Sequence, residues 1–149
     1  MIRAIAAAIS IALLLLSPAT AQDQSRYGKQ KVIYHLNVDG GPEDKAYLQA
    51  LRNVQNHIDA VGKDNIEVKV VMHADGILLL KNAATNLRLQ SQVVNLKNQK
   101  VAFLVCDNTL KARKIDAKDL FEVEKADIVP SGVAELALLQ TKGFVYIKP

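Results

Sequence analysis

The chain has 149 residues, half of them hydrophobic, with 23% charged, 5% aromatic and no Trp. That composition suits one globular domain, excludes a disordered chain, and leaves few rings on which bases or sugars could stack. The net charge of +4 comes from basic residues spread along the sequence, so charge argues for neither nucleic acid nor a membrane as partner.

Arg3 precedes an apolar run, Ala4 to Leu16, which is shorter than the roughly 20 residues of a membrane-spanning helix. Ser17-Pro18 ends the run, and Ala19-Thr20-Ala21 has the small-x-small pattern of a signal peptidase site. Residues 1–21 are therefore expected to be a signal peptide. The mature chain would be exported, periplasmic where the host has two membranes, and free of the membrane after cleavage. Losing Arg3 lowers the net charge of +4 by one. Residues 22–30 are polar and expected to be a flexible lead-in to an α/β domain over 31–149.

Lys31 to Val38, rich in β-branched and aromatic residues, predicts a first strand. Asp39-Gly40-Gly41-Pro42 stops it with a tight turn and places Pro42 near a helix start. Tyr47, Leu51, Val54, Ile58 and Val61 recur at spacings of four and three, which predicts a helix over 43–61. Glu43 and Asp44 would occupy its first turn, where anions favour the dipole, and Gly62 would stop it. Ile66 to Met72 predicts the second strand, followed by a loop, His73-Ala74-Asp75-Gly76. Ile77 to Leu80 reads as one apolar turn, and 82–96 as a second helix with Leu89, Val93 and Leu96 on one face.

Val101 to Val105 is a continuous apolar run ending at Cys106, the single cysteine. Such a run predicts a strand buried on both faces of a parallel sheet. Asp107, Asn108 and Thr109 are good N-cap types, so a helical turn should start there. Asp116 predicts a short helix over 117–121, Ala126 to Val129 a fourth strand, Ser131 the cap of a helix over 133–141, and Phe144 to Ile147 a fifth strand. The alternation implies a small three-layer, flavodoxin-like sandwich with a five-stranded, mostly parallel sheet and helices on both faces. The C-terminal strand would sit at an edge, where it could pair with another subunit.

In such sheets the carboxyl ends of the strands carry the site. Cys106 falls there, beside a helix start whose N–H groups favour a thiolate. Lys111, Arg113 and Lys114 would help if they fold back toward it. A single cysteine forms no disulfide within the chain. It is buried and inert, paired between chains, or reactive. His73, with Asp75 and Gly76, lies on the same rim and could shuttle a proton. His35 and His57 show no partner spacing, and the three His and one Cys match no zinc pattern. Asp39-Gly40-Gly41 could cradle an anion, but Walker A, G-x-G-x-x-G and G-x-S-x-G are all missing, so no cofactor is implied.

Three segments carry a family resemblance: Cys106-Asp107-Asn108-Thr109-Leu110-Lys111-Ala112-Arg113, Val129-Pro130-Ser131-Gly132-Val133-Ala134-Glu135-Leu136, and Leu139-Gln140-x-x-Gly143-Phe144-x-Tyr146-Ile147-Lys148-Pro149. With Arg52 to His57 and Met72 to Gly76, they resemble a branch of the DsrE/DsrF-like family. The resemblance implies a flavodoxin-like domain, assembly into trimers or hexamers, and handling of reduced sulfur. In better-known members a cysteine takes sulfur as a persulfide and passes it to another protein. Cys106 matches that position; Asn108, Thr109 and Gly132 match the motif without an assigned role. The export signal departs from the cytoplasmic sulfur-relay members and separates this chain from their relay partners. Three functions follow as expectations. The first is a sulfur carrier or sulfurtransferase using Cys106, with His73 as proton shuttle and Lys111 or Arg113 assisting. The second is an oligomer binding a small ligand at the rim formed by Asp75, Gly76, Asn108, Thr109, Lys111, Arg113 and Gly132. The third is a redox sensor forming a disulfide between subunits.

Overall fold

The computed structural model describes residues 26–149. The expected signal peptide and the 22–25 part of the lead-in lie outside them. Five strands form one sheet: β1 (Gln30–Leu36), β2 (Ile66–Met72), β3 (Ala102–Cys106), β4 (Ile128–Val129) and β5 (Val145–Ile147). Their order is β4-β3-β2-β1-β5, and every pair is parallel. Five helices accompany them: α1 (Lys45–Val61), α2 (Leu78–Ala83), α3 (Leu87–Asn98), α4 (Asp107–Arg113) and α5 (Gly132–Thr141).

The strand order dictates where the helices go. From β1 to β4 each crossover steps the same way, so right-handed connections lay α1, α2 and α3 and the 107–127 segment on one face. The last crossover steps back across the sheet to reach β5 beside β1, so α5 lies on the opposite face. The packing follows. Val32, Tyr34, Leu36, Val70, Met72, Phe103 and Val105 face a large core with α1 to α3. Ile33, Val71 and Leu104 face a small core closed by Leu136, Leu139 and Phe144. Three layers result, but one outer layer is a single helix.

Several local expectations are corrected. Pro42–Asp44 is a 3-10 turn, and Glu43 and Asp44 have φ of 55° and 57° rather than helical values. Asp44 is spent differently: its carboxylate accepts from Asn82 Nδ2 (2.7 Å) and Asn86 Nδ2 (2.8 Å). It therefore ties the start of α1 to the α2–α3 junction. The helix expected over 82–96 breaks there. Ile77 ends a 3-10 turn that runs into α2, and Asn86 caps α3, its side chain accepting from Arg88 and Leu89 N–H. The expected helix over 117–121 is a 3-10 turn at Ala117–Asp119, and the start of the expected fourth strand is another at Lys125–Asp127. Among the described residues no helix is long and apolar enough to cross a membrane.

Candidate thiol site

The helices after β3 and after β4 leave for opposite faces, so the loops at these two carboxyl ends diverge. Divergence of this kind opens the crevice at which α/β sheets bind ligands. Cys106 ends β3 at this point and pairs with Val129 of β4. It is the N-cap of α4, a correction to the expectation that Asp107, Asn108 or Thr109 would fill that place. The thiol makes no capping hydrogen bond in this state, as expected of a weak acceptor. Its anion would be a strong one.

Burial, at 4% exposure, pushes the Cys106 thiol up. The Thr109 hydroxyl and the N–H groups of Gly132, Thr109 and Asn108 outweigh it, and the thiol lies below its ordinary value. Two of these N–H groups belong to α4 and one to α5, so both diverging loops converge on the sulfur. Thr109 has a second bond: its Oγ1 accepts from Ala74 N–H at 3.1 Å, which leaves its own proton for Cys106 and joins the 73–76 loop to the thiol. Gly132 makes a close approach to the side chains of His73 and Cys106. A Cβ there would lie 3.1 Å from His73 Cβ and 3.2 Å from Cys106 Cβ. Helix α5 thus starts in the gap between the two side chains.

The basic cluster does not supply the cation expected for the thiolate. Lys111 Nζ pairs with Asp107 at 2.5 Å, four residues back on α4, and Arg113 pairs with Asp75 at 2.5 Å. Asp75 also accepts the Tyr47 hydroxyl on its backbone oxygen at 2.6 Å. Gly76 is buried against β1, where an added Cβ would lie 2.1 Å from Leu36 O. Asp75, Gly76 and Arg113 therefore brace the 73–76 loop. Cys106, His73, Thr109 and Gly132 form one group, with the exposed Asn108 contributing its N–H. The Asp39-Gly40-Gly41 turn is satisfied internally: Gly41 N–H donates to Asp39 Oδ1 at 3.0 Å.

The sequence reading missed His35 and Tyr146. His35 Nε2 lies 2.7 Å from His73 Nε2, and His35 Nδ1 lies 2.6 Å from the Tyr146 hydroxyl. His35 is 8% exposed. Burial, Lys148 and His73 lower it to about 4; burial and Lys148 lower His73 as well. Both are neutral near pH 7. The signal for His35 was its place two residues after the inward-facing Ile33, on the same face of β1. His57 differs: its Nε2 donates to Gln30 Oε1 at 2.7 Å, and its Nδ1 accepts from Tyr34 at 2.9 Å, on the other face of the sheet. Among the described residues no three of His, Cys, Asp and Glu converge as a metal-ligand set.

The DsrE/DsrF-like family profile matches residues 33–149. A comparison with curated proteins finds no match. Among solved structures, the chain is similar to the protein of unknown function MTH1491 from Methanobacterium thermoautotrophicum, at 30% identity and a TM-score of 0.68, over 81% of this chain and all of that one. The matched residues hold every strand but the start of β1, together with Cys106, His73 and the turn into α5, and on that basis the chain belongs to the DsrE/DsrF-like family.

Proposed function

We propose that the protein handles sulfur through Cys106, which accepts a sulfane sulfur and carries it as a persulfide to a partner. One observation carries the reading: the thiol is lowered by hydrogen-bond donors from two diverging helices even though it is buried. Those donors would serve a persulfide anion as well as a thiolate. With thiosulfate as donor, the Cys106 thiolate attacks the outer sulfur. A new S–S bond forms, the old one breaks, and sulfite leaves with its electron pair. An exposure of 4% favours donors of that size over a donor protein in this conformation. Loading is tested by intact mass after incubation with thiosulfate or polysulfide: an adduct of about 32 Da, one sulfur atom, is expected on the thiolate. No adduct, or one that persists in Cys106→Ser, overturns the reading.

The low exposure also supports a second reading, in which Cys106 only packs and the rim binds a small ligand. It predicts slow alkylation in the folded state, and rapid labelling below pH 7 would remove it. A disulfide between subunits is the least compatible use, since a second sulfur must come within about 2.05 Å of an atom covered by the start of α5.

Assembly into a homotrimer or hexamer is part of the same proposal. Helix α5 is apolar beyond its buried side: Gly132, Leu136 and Leu139 face inward, while Val133 and Leu138 are exposed. Helices apolar all round are ordinarily covered, and a second copy is the occupant we assign. Light scattering on the mature chain should give a multiple of the protomer mass. Export rests on residues 1–21, and mature protein starting at Gln22 in the exported fraction is expected.

A further inference from the structure

Four side chains line one face of the sheet at its carboxyl edge. His35 lies two residues beyond Ile33 on β1, His73 two beyond Val71 at the end of β2, and Cys106 two beyond Leu104 on β3. Ile33, Val71 and Leu104 all belong to the α5-side core, and side chains two apart share a face. Tyr146 of β5 is in register with Ile33. The row therefore reads Tyr146, His35, His73, Cys106 across neighbouring strands. The first three are joined by short hydrogen bonds of 2.6 and 2.7 Å. Tyr146 is 41% exposed at the sheet edge and His35 is 8% exposed, so the row runs from solvent to the strand beside the thiol.

We propose that Tyr146, His35 and His73 form a reversible proton relay between the β5 edge and the Cys106 rim, with His35 and Tyr146 as positioning residues that act through His73. Two arrangements satisfy the same distances. In one, Tyr146 O–H donates to His35 Nδ1, His35 Nε2–H donates to His73 Nε2, and His73 carries its proton on Nδ1. In the other, His73 Nε2–H donates to His35 Nε2, His35 Nδ1–H donates to the Tyr146 oxygen, and the tyrosine proton turns to solvent. Passing from the first to the second moves the tyrosine proton to His35 Nδ1 and the His35 Nε2 proton to His73 Nε2. Tyr146 regains a proton from water and His73 Nδ1 releases one, so one proton enters at the edge and one leaves at the rim. Neither ring becomes doubly protonated in either arrangement, which suits a buried pair facing a cation.

Among the described residues, no carboxylate is one of the groups that shift either ring. The charged group facing both rings is Lys148, beyond β5, whose ammonium donates to Asn37. From α5 the residue against His73 is Gly132, and from β3 it is Cys106 across that glycine. A carboxylate on either ring would lock a tautomer; the Asp75 carboxylate, on the same loop as His73, is held by Arg113 instead.

The pathway depends on the sulfur reading only for its purpose, so it is tested without a sulfur donor. Ring-nitrogen NMR of the full mature chain, labelled at histidine, resolves three residues. His57 is an internal reference, since Gln30 Oε1 fixes its proton on Nε2. The expected result near pH 7 is one pure tautomer for His57 and averaged, intermediate nitrogen shifts for both His35 and His73. Tyr146→Phe, a mild change at a half-exposed site, should move both averaged histidines together and leave His57 unchanged. A wild type in which His35 and His73 each hold one pure tautomer overturns the relay, as does a Tyr146→Phe chain with unchanged histidine shifts. Loss of sulfur loading with intact tautomer averaging would overturn only the proposed function.

Discussion

Replacing Thr109 by Val isolates the donor set that lowers the thiol. The two side chains have nearly the same shape, so packing against the 73–76 loop persists while the hydroxyl is lost. In the native protein that hydroxyl is a donor available to the Cys106 thiolate, and it accepts from Ala74 N–H at 3.1 Å. A hydrogen bond to a charged group contributes about 1.5–3 kcal/mol, and about 1.36 kcal/mol is a factor of ten in an equilibrium, so the thiol should rise and ionise less readily. Water has little access to replace the hydroxyl at 4% exposure, which argues against a much smaller effect. Below the thiol pKa, the thiolate fraction and hence the alkylation rate should fall about 10- to 100-fold. The orphaned Ala74 N–H should cost a further 1 kcal/mol or so in stability. The assay is the alkylation rate against pH, with urea unfolding in parallel to confirm that the fold persists. An alkylation midpoint that stays where it was in a folded Thr109→Val protein would refute the claim that side-chain donation activates the thiol.

Gly76→Ala should be severely destabilising, because the added methyl would meet Leu36 O at 2.1 Å and the backbone of a central strand cannot retreat; a loss of about 3 kcal/mol or complete failure to fold is expected in urea titration. Asn86→Ala removes both the cap of α3 and the donor to Asp44, and should lower stability by about 1–2 kcal/mol with little change in Cys106 alkylation. Acid should weaken the fold through His35. Its folded pKa of about 4 lies below the ordinary histidine value of 6.5, so between those values the unfolded chain binds the extra proton. Stability should therefore fall as pH drops through that window, by on the order of 3 kcal/mol in total, and His35→Gln should flatten the slope. Val133→Glu with Leu138→Glu, both on the exposed side of α5, should leave a folded protomer and abolish assembly in light scattering; an unchanged particle mass would place the interface elsewhere.

Where residues act on their own chain neighbours, the sequence was a sufficient guide. The stripe of Tyr47, Leu51, Val54, Ile58 and Val61 is buried as the helical period requires. The run 101–105 enters a central strand, and Ser131 caps α5 by accepting from Ala134 N–H. Spacing alone sets Lys111 apart from the thiol: it is four residues from Asp107, a ready helical pair. The break before α3 was harder. Asn82 and Asn86 fit a continuous helix by pattern, and what ends it is a carboxylate from the distant Asp44.

By itself, the order of apolar runs, turn residues and caps determined a parallel α/β sheet and put Cys106 at the carboxyl end of a buried strand. Short-range periodicity is a property of the local chain and can be read without knowing what it packs against. Only tertiary structure decided that β5 returns beside β1, since strand order is set by long-range burial and crossover handedness rather than by any local signal. That one choice sends α5 to the far face and aims Gly132 N–H at the thiol. It also draws Tyr146 and His35, 111 residues apart, into hydrogen-bond contact.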